Sequence, residues 1–146
     1  MSNFKRDVVV VPVDFSEASR NALRAAADLT DDVSKLRLLH VLPPLEAISP
    51  AVVWGDLSDD HREQSVEEYA KKFLAENGVA DASFEVRIGS PGHEITQFAD
   101  EQNADLIVIS SHGYHGIKRF LLGSVAEMVI RHAHCAVLVL RRQDAE

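Results

Sequence analysis

A short apolar run, Leu106 to Ile109, stops at Ser110 and Ser111. The chain then reads His112-Gly113-Tyr114-His115-Gly116-Ile117-Lys118-Arg119-Phe120-Leu121-Leu122-Gly123-Ser124-Val125-Ala126-Glu127. A strand that ends in small polar residues and passes through glycines into a helix is suited to hold an anion. Glycine has no Cβ and tolerates φ > 0, so backbone N–H groups can come close to a ligand. The first N–H groups of a helix lack intrahelical partners, and the helix dipole favours negative charge there. Ser124, with Glu127 three residues on, reads as an N-cap and capping box. Its hydroxyl could equally meet a phosphate oxygen. Lys118 and Arg119 lie between the glycines of an acidic chain. They are either solvated charges or partners of a polyphosphate, each charge-assisted bond then contributing roughly 1.5–3 kcal/mol. The stretch is neither a Gly-Lys-Ser/Thr phosphate loop nor a G-x-G-x-x-G fingerprint. A glycine turn without any ligand is the alternative.

A second candidate is Asp14, which ends the β-branched run Val8 to Val13. It is either a turn former at a helix entry or a ligand contact in the crevice where open α/β sheets bind ligands. Other chemistry is weaker. His112, His115, His132, His134 and Cys135 cluster in sequence, and His112-x2-His115 resembles half of a zinc site. The remaining three run across a helix into an apolar strand, so ordinary loop and core roles are expected for the five, and no metal ligand set. Gly123-Ser124-Val125 lacks the flanks of a nucleophile elbow. Asp31-Asp32 and Asp59-Asp60 read as caps.

The elements that must position these residues alternate. Val8 to Val13 is a near-continuous β-branched run, as in a strand buried on both faces of a parallel sheet, and Leu36 to Val41 reads as a second strand. Ser16 caps the helix between them, with Ala22, Ala25, Ala26 and Leu29 on its inner face. Residues 42 to 58, with three prolines and Trp54, are expected to form a surface loop, or a flap over a ligand. A helix beginning at Ser58 carries the stripe Val66, Tyr69, Ala70, Phe73 and Leu74 and stops at Asn77-Gly78. Phe84, Val86 and Ile88 alternate with polar residues, which predicts an edge strand. Pro91 opens a helix with Ile95, Phe98 and Ala99 inside. Leu106 to Ile109 is a fourth strand. Val125, Met128, Val129 and His132 mark the inner face of the last helix, and Ala136 to Leu140 is a fifth strand. The β-α alternation implies a parallel sheet with helices on both faces and right-handed crossovers.

Composition sets the class. The chain has 146 residues, 46% hydrophobic and 26% charged, with a formal net charge of −8. That fits one globular domain. The charge disfavours nucleic acid and anionic membranes as partners, though local N–H groups can still bind a small phosphate. A single Cys cannot form an internal disulfide, which suits a reducing cytoplasm. No signal-peptide core is visible, nor a run near the roughly 20 residues that span a bilayer. The expectation is a cytoplasmic protein with no membrane insertion.

Taken together, these segments resemble the universal stress protein family. Gly113, nine residues and then Gly123-Ser124 match the family signature G-x2-G-x9-G-S/T, with Ser110 standing at its first glycine. Val11-Pro12-Val13-Asp14-Phe15-Ser16, Leu39-His40-Val41 and residues 125 to 140 are similar as well, so the resemblance covers almost the whole chain. It implies a single Rossmann-like α/β domain over residues 1–146, an open parallel five-stranded sheet of order 3-2-1-4-5. Its switch point lies between strands 1 and 4, with Asp14 and the Gly113 loop on one crevice. It implies ATP as ligand, with ADP or AMP as alternatives. The adenine end would lie near Pro12, Val13, Asp14 and Val41. The phosphates would lie over Ser110, Ser111, His112, Gly113 and Gly116 and over Gly123, Ser124, Val125 and Ala126, with Lys118 and Arg119 as candidate charge partners. Mg²⁺ or Mn²⁺ would bind through the phosphates and water. It implies a homodimer through Ala136 to Leu140, whose apolar edge is open to pairing, and a regulated protein partner not readable from the sequence.

No residue is an obvious base for an attacking water, so any ATP hydrolysis is expected to be slow. The expected role is a nucleotide-responsive stress-response module rather than an enzyme. One alternative is an interaction protein of the same fold without nucleotide. Another is an adenylyl-transferring enzyme, for which 146 residues leave little room for a substrate domain. Ser110 keeps the backbone N–H of the motif position but adds a Cβ where phosphate would approach. Binding is expected to survive with reduced or altered affinity.

Overall fold

The computed structural model describes residues 6–44, 59–111 and 123–141. Trp54, with the rest of the proline-containing stretch from residue 45, lies outside them, as do His112, Gly113, His115, Gly116, Lys118 and Arg119. Five strands form one parallel sheet: β1 (Val9–Pro12), β2 (Leu36–Leu42), β3 (Ser83–Ile88), β4 (Leu106–Ser110) and β5 (Ala136–Leu140). Their order is β3-β2-β1-β4-β5, as the family resemblance implies. Among the described residues four α-helices connect them: α1 (Glu17–Asp28), α2 (Asp59–Glu76), α3 (Pro91–Glu101) and α4 (Ser124–His132).

The period of two in β1 sorts the core into two layers. Val9 and Val11 face one side, with Leu36, Leu38, Leu106 and Val108, and meet Ala22, Leu23 and Ala26 of α1 and Phe73 and Leu74 of α2. Val10 faces the other, with Leu39, Ile107 and Ile109, and meets Ile95, Phe98 and Ala99 of α3 and Ala126 and Val129 of α4. Val9, Val10 and Val11 have no solvent exposure because β1 is central and covered twice. β3 and β5 are the edges, and all five residues of β5 are half-buried or exposed.

Helix ends follow local chemistry. The Ser16 hydroxyl accepts from the Ser19 N–H and caps α1. Gly78 takes φ 70° just beyond α2, and the Val79 N–H closes back on the Leu74 carbonyl at 2.9 Å. Pro91 occupies the first turn of α3, where its missing N–H costs nothing. Among the described residues no helix is long and apolar enough to cross a membrane.

Two expectations for α4 are corrected. The buried residues are Ala126 and Val129, whereas Val125 and Met128 are 38% and 40% exposed and His132 is exposed. The inner stripe lies one residue round from the predicted one, because the small Ala126 lets the helix sit close on the sheet. The larger Met128 instead lies along α3, where its side chain crosses Gly92. The N-cap is Gly123, at φ −64° and ψ 154°, with no side-chain cap bond. Ser124 is the first helical residue. The Glu127 N–H donates to Gly123, and its carboxylate pairs with Arg131 at 2.9 Å, so no capping box forms.

Candidate functional site

β1 lies between β2 and β4, so the chain leaves the sheet in opposite directions from neighbouring carboxyl ends. A crevice opens at such a switch point. β1 and β4 pair Val9 with Leu106 and Val10 with Ile107. Both strands are parallel, so Asp14, just after β1, and Ser110 and Ser111, at the end of β4, stand at the same edge of the sheet. The two sequence candidates, Asp14 and the end of β4, therefore follow neighbouring strands at the carboxyl end of the sheet.

Asp14 is held in a fixed orientation. Its Oδ1 accepts from the Ser16 N–H at 3.0 Å and from the hydroxyls of Ser16 and Ser19. Its own N–H donates to the Ser19 hydroxyl at 2.8 Å. Ser19 is buried at 5% exposure and thus belongs to the site although nothing in its spacing marks it. Burial pushes the Asp14 carboxyl up, but the bonds from Ser16 and Ser19 outweigh it and leave the group below its ordinary value. The site therefore keeps a negative charge at neutral pH. All the hydrogen bonds named run to Oδ1, which leaves Oδ2 as the oxygen able to meet a polar group in the crevice.

Phe15, the next residue, takes φ 66°, a left-handed conformation costly for a residue with a Cβ. Such strain persists where surrounding contacts impose it. Here the ring lies 5.0 Å from His40, 5.0 Å from Tyr69 and 5.1 Å from Phe73, the last two edge-on. His40 is 7% exposed, and its Nδ1–H donates to the Val13 carbonyl at 2.7 Å. Pro12 and Val41 are half-buried and Val13 is 4% exposed, at the carboxyl ends of β1 and β2.

On the other wall Ser110 is the last residue of β4 and Ser111 is buried. The Ser111 N–H donates to the Leu140 carbonyl at 2.8 Å, and its carbonyl accepts from the Gly123 N–H at 2.8 Å. This ties the start of α4 to the end of β4. Ser124, Val125 and Ala126 form the first turn, and their N–H groups precede any intrahelical acceptor. With no side-chain cap there, the turn fits an anion. Thus Pro12, Val13, Asp14, Val41, Ser110, Ser111, Gly123, Ser124, Val125 and Ala126 line the carboxyl end of the sheet.

Of the late His and Cys residues, His132, His134 and Cys135 lie among the described residues. His134 faces the Asp100 carboxylate at 3.1 Å, and His132 is exposed on α4. Burial, helped by Asp100 and Asp105, pushes the Cys135 thiol up, away from a reactive thiolate. Among the described residues no three His, Cys, Asp or Glu could hold a metal ion.

An open parallel α/β sheet of order β3-β2-β1-β4-β5, with an acid after β1 and an uncapped helix start tied to the end of β4, defines the class. The family model for the universal stress protein family matches residues 5–141, and the chain belongs to that family. The universal stress protein MJ0531 of Methanocaldococcus jannaschii is 35% identical over 143 residues, covering 94% of this chain and 84% of that protein. The solved structure of MJ0577, from the same organism, superposes with a TM-score of 0.74 at 30% identity, over 99% of this chain and 100% of that one. A universal stress protein from Archaeoglobus fulgidus, solved in complex with dAMP, gives 0.62 at 25% identity, over 92% and 97%.

Proposed function

We propose that this universal stress protein binds an adenine nucleotide, ATP foremost, and acts as a nucleotide-responsive stress-response module. What supports the reading is that the oriented Asp14 carboxylate follows β1 and the uncapped first turn of α4 is tied to the end of β4, the neighbouring parallel strand. One wall suits a polar base or sugar and the other suits phosphates. A relative of the same fold has been solved with dAMP, an adenine nucleotide. Gly113, Gly116, Lys118 and Arg119 complete the proposed phosphate segment by their place in the signature, and His112 stands beside it. Mg²⁺ or Mn²⁺ would be held through phosphate oxygens and water, a mode that needs no protein cage. Turnover is proposed to be slow, because the signature itself carries no obvious base for an attacking water. The working form is proposed to be a cytoplasmic homodimer joined along β5, regulating a protein partner.

The test is a thermal shift on nucleotide-free protein. ATP with Mg²⁺ should raise Tm, because ligand that binds only the folded state stabilises it by mass action. GTP should raise it less. No shift with any nucleotide at millimolar concentration would favour the interaction-protein alternative instead.

A further inference from the structure

β2 turns alternate residues to its two neighbours. The Leu39 carbonyl accepts from the Val13 N–H at 2.8 Å, whereas the Leu42 carbonyl accepts from Gly89 on the β3 side at 2.9 Å. Odd-numbered residues of β2 therefore face β1, and the next amide on that side after Leu39 is Val41. In a continuing parallel ladder this N–H would donate to the Val13 carbonyl. The β1–β2 pairing ends at Pro12 with Leu39 instead. The Val13 carbonyl is taken by His40, whose Nδ1 lies 2.7 Å away. A carbonyl only accepts, so Nδ1 carries the proton. The ring has little freedom to leave: it is 7% exposed and stacked 5.0 Å from Phe15 at an interplanar angle of 31°.

We infer that His40 is a positioning residue for ligand recognition: by taking the Val13 carbonyl it ends the ladder one step early and turns the Val41 N–H toward the crevice beside Asp14. A backbone N–H that has left the ladder at the crevice is a donor for a ligand acceptor. The chemistry that supplies one here is the ring nitrogen of a purine, with the Asp14 Oδ2 able to accept from a hydroxyl or amine of the same ligand. His40 thus acts through two neighbours and touches no ligand itself. This deepens the proposed adenine-nucleotide reading and rests on it.

The experiment compares wild type, His40→Phe and His40→Gln by amide hydrogen exchange at Val41 and by titration with adenosine, ATP and inorganic triphosphate. Phe keeps a ring against Phe15 and removes the N–H donor. In His40→Phe the freed carbonyl should capture the Val41 amide, slowing its exchange by about tenfold, the worth of one net hydrogen bond. Adenosine and ATP should each lose affinity by about tenfold, while triphosphate binding stays unchanged. Gln, which can present an N–H, should restore adenosine affinity. Unchanged Val41 exchange in His40→Phe, or adenosine binding equal to wild type, would overturn the inference. If wild type binds neither adenosine nor ATP, the nucleotide reading fails, and the exchange comparison alone decides the role of His40. Should His40→Phe not fold, the wild-type amides decide: Val41 exchanging as slowly as Leu39 overturns the inference.

Discussion

The backbone N–H of Gly123 donates to the carbonyl of Ser111 at 2.8 Å. Ser111 in turn donates to Leu140 on the edge strand. One buried serine therefore ties the last two strands to the start of α4. The anion-seeking end of that helix is fixed to the carboxyl end of β4, next to β1 and Asp14. A proposed phosphate site on α4 is thereby held at the end of the strand that neighbours β1, the strand that leads to Asp14.

The bonds to Asp14 make stability depend on pH. Its folded value is depressed by Ser16 and Ser19. Such a group stabilises the fold above its unfolded value, about 3.9, and the contribution is lost as pH falls through the lower folded value. Asp14→Asn should cost about 1 kcal/mol at pH 7, a modest figure because solvent reaches this half-buried group. The gap to wild type should close as pH falls below about 4. Urea unfolding at several pH values measures it, and a gap constant with pH would contradict the assignment.

Gly92 is set by packing. A Cβ there would lie 2.8 Å from the Met128 Cβ and 2.5 Å from its Sδ. Gly92→Ala should destabilise by about 1–3 kcal/mol through overpacking. Met128→Ala in that background should recover only part of the loss, because its Cβ remains in the way. Thermal unfolding of the single and double variants reads the coupling.

The proposed dimer makes a backbone prediction. The Leu140 carbonyl faces β4, where Ser111 reaches it, so Val137 and Val139 turn their N–H groups to the open edge. Val139→Pro removes one outward donor and leaves the β4 ladder intact. It should convert dimer to monomer in sedimentation equilibrium. A persistent dimer would place the interface elsewhere.

Ser110 pulls stability and binding in opposite directions. Ser110→Gly should lower stability by about 0.5–1 kcal/mol, since glycine is costly in a strand. It should raise ATP affinity by removing a Cβ where phosphate approaches. If wild type shows no binding and Ser110→Gly binds tightly, the claim that binding survives the serine is wrong.

Much of this was legible in residue patterns. The β-branched run of β1 announces a strand covered on both faces, β2 and β4 read as strands, and the alternation of Phe84, Val86 and Ile88 announces the edge strand. The order β3-β2-β1-β4-β5 came from the family resemblance, since strand order has no local signal. Ser19 and His40 were not legible as site residues. Each acts through a hydrogen bond to Asp14 or Val13 that exists only once helix and strands are packed. The inner face of α4 was misread because Val and Met outrank Ala in hydropathy, yet close approach to the sheet rewards the smaller side chain. The Ser124 cap failed for a related reason: the bond from Gly123 to Ser111 lets the helix begin one residue early.

The central claim is tested most directly by calorimetric titration of ATP with Mg²⁺ into protein verified free of nucleotide, beside Gly113→Val. Saturable binding to wild type, lost in Gly113→Val, is the predicted result. No heat of binding at millimolar ATP, or equal binding by both proteins, would contradict a nucleotide site built on Asp14 and the glycine segment.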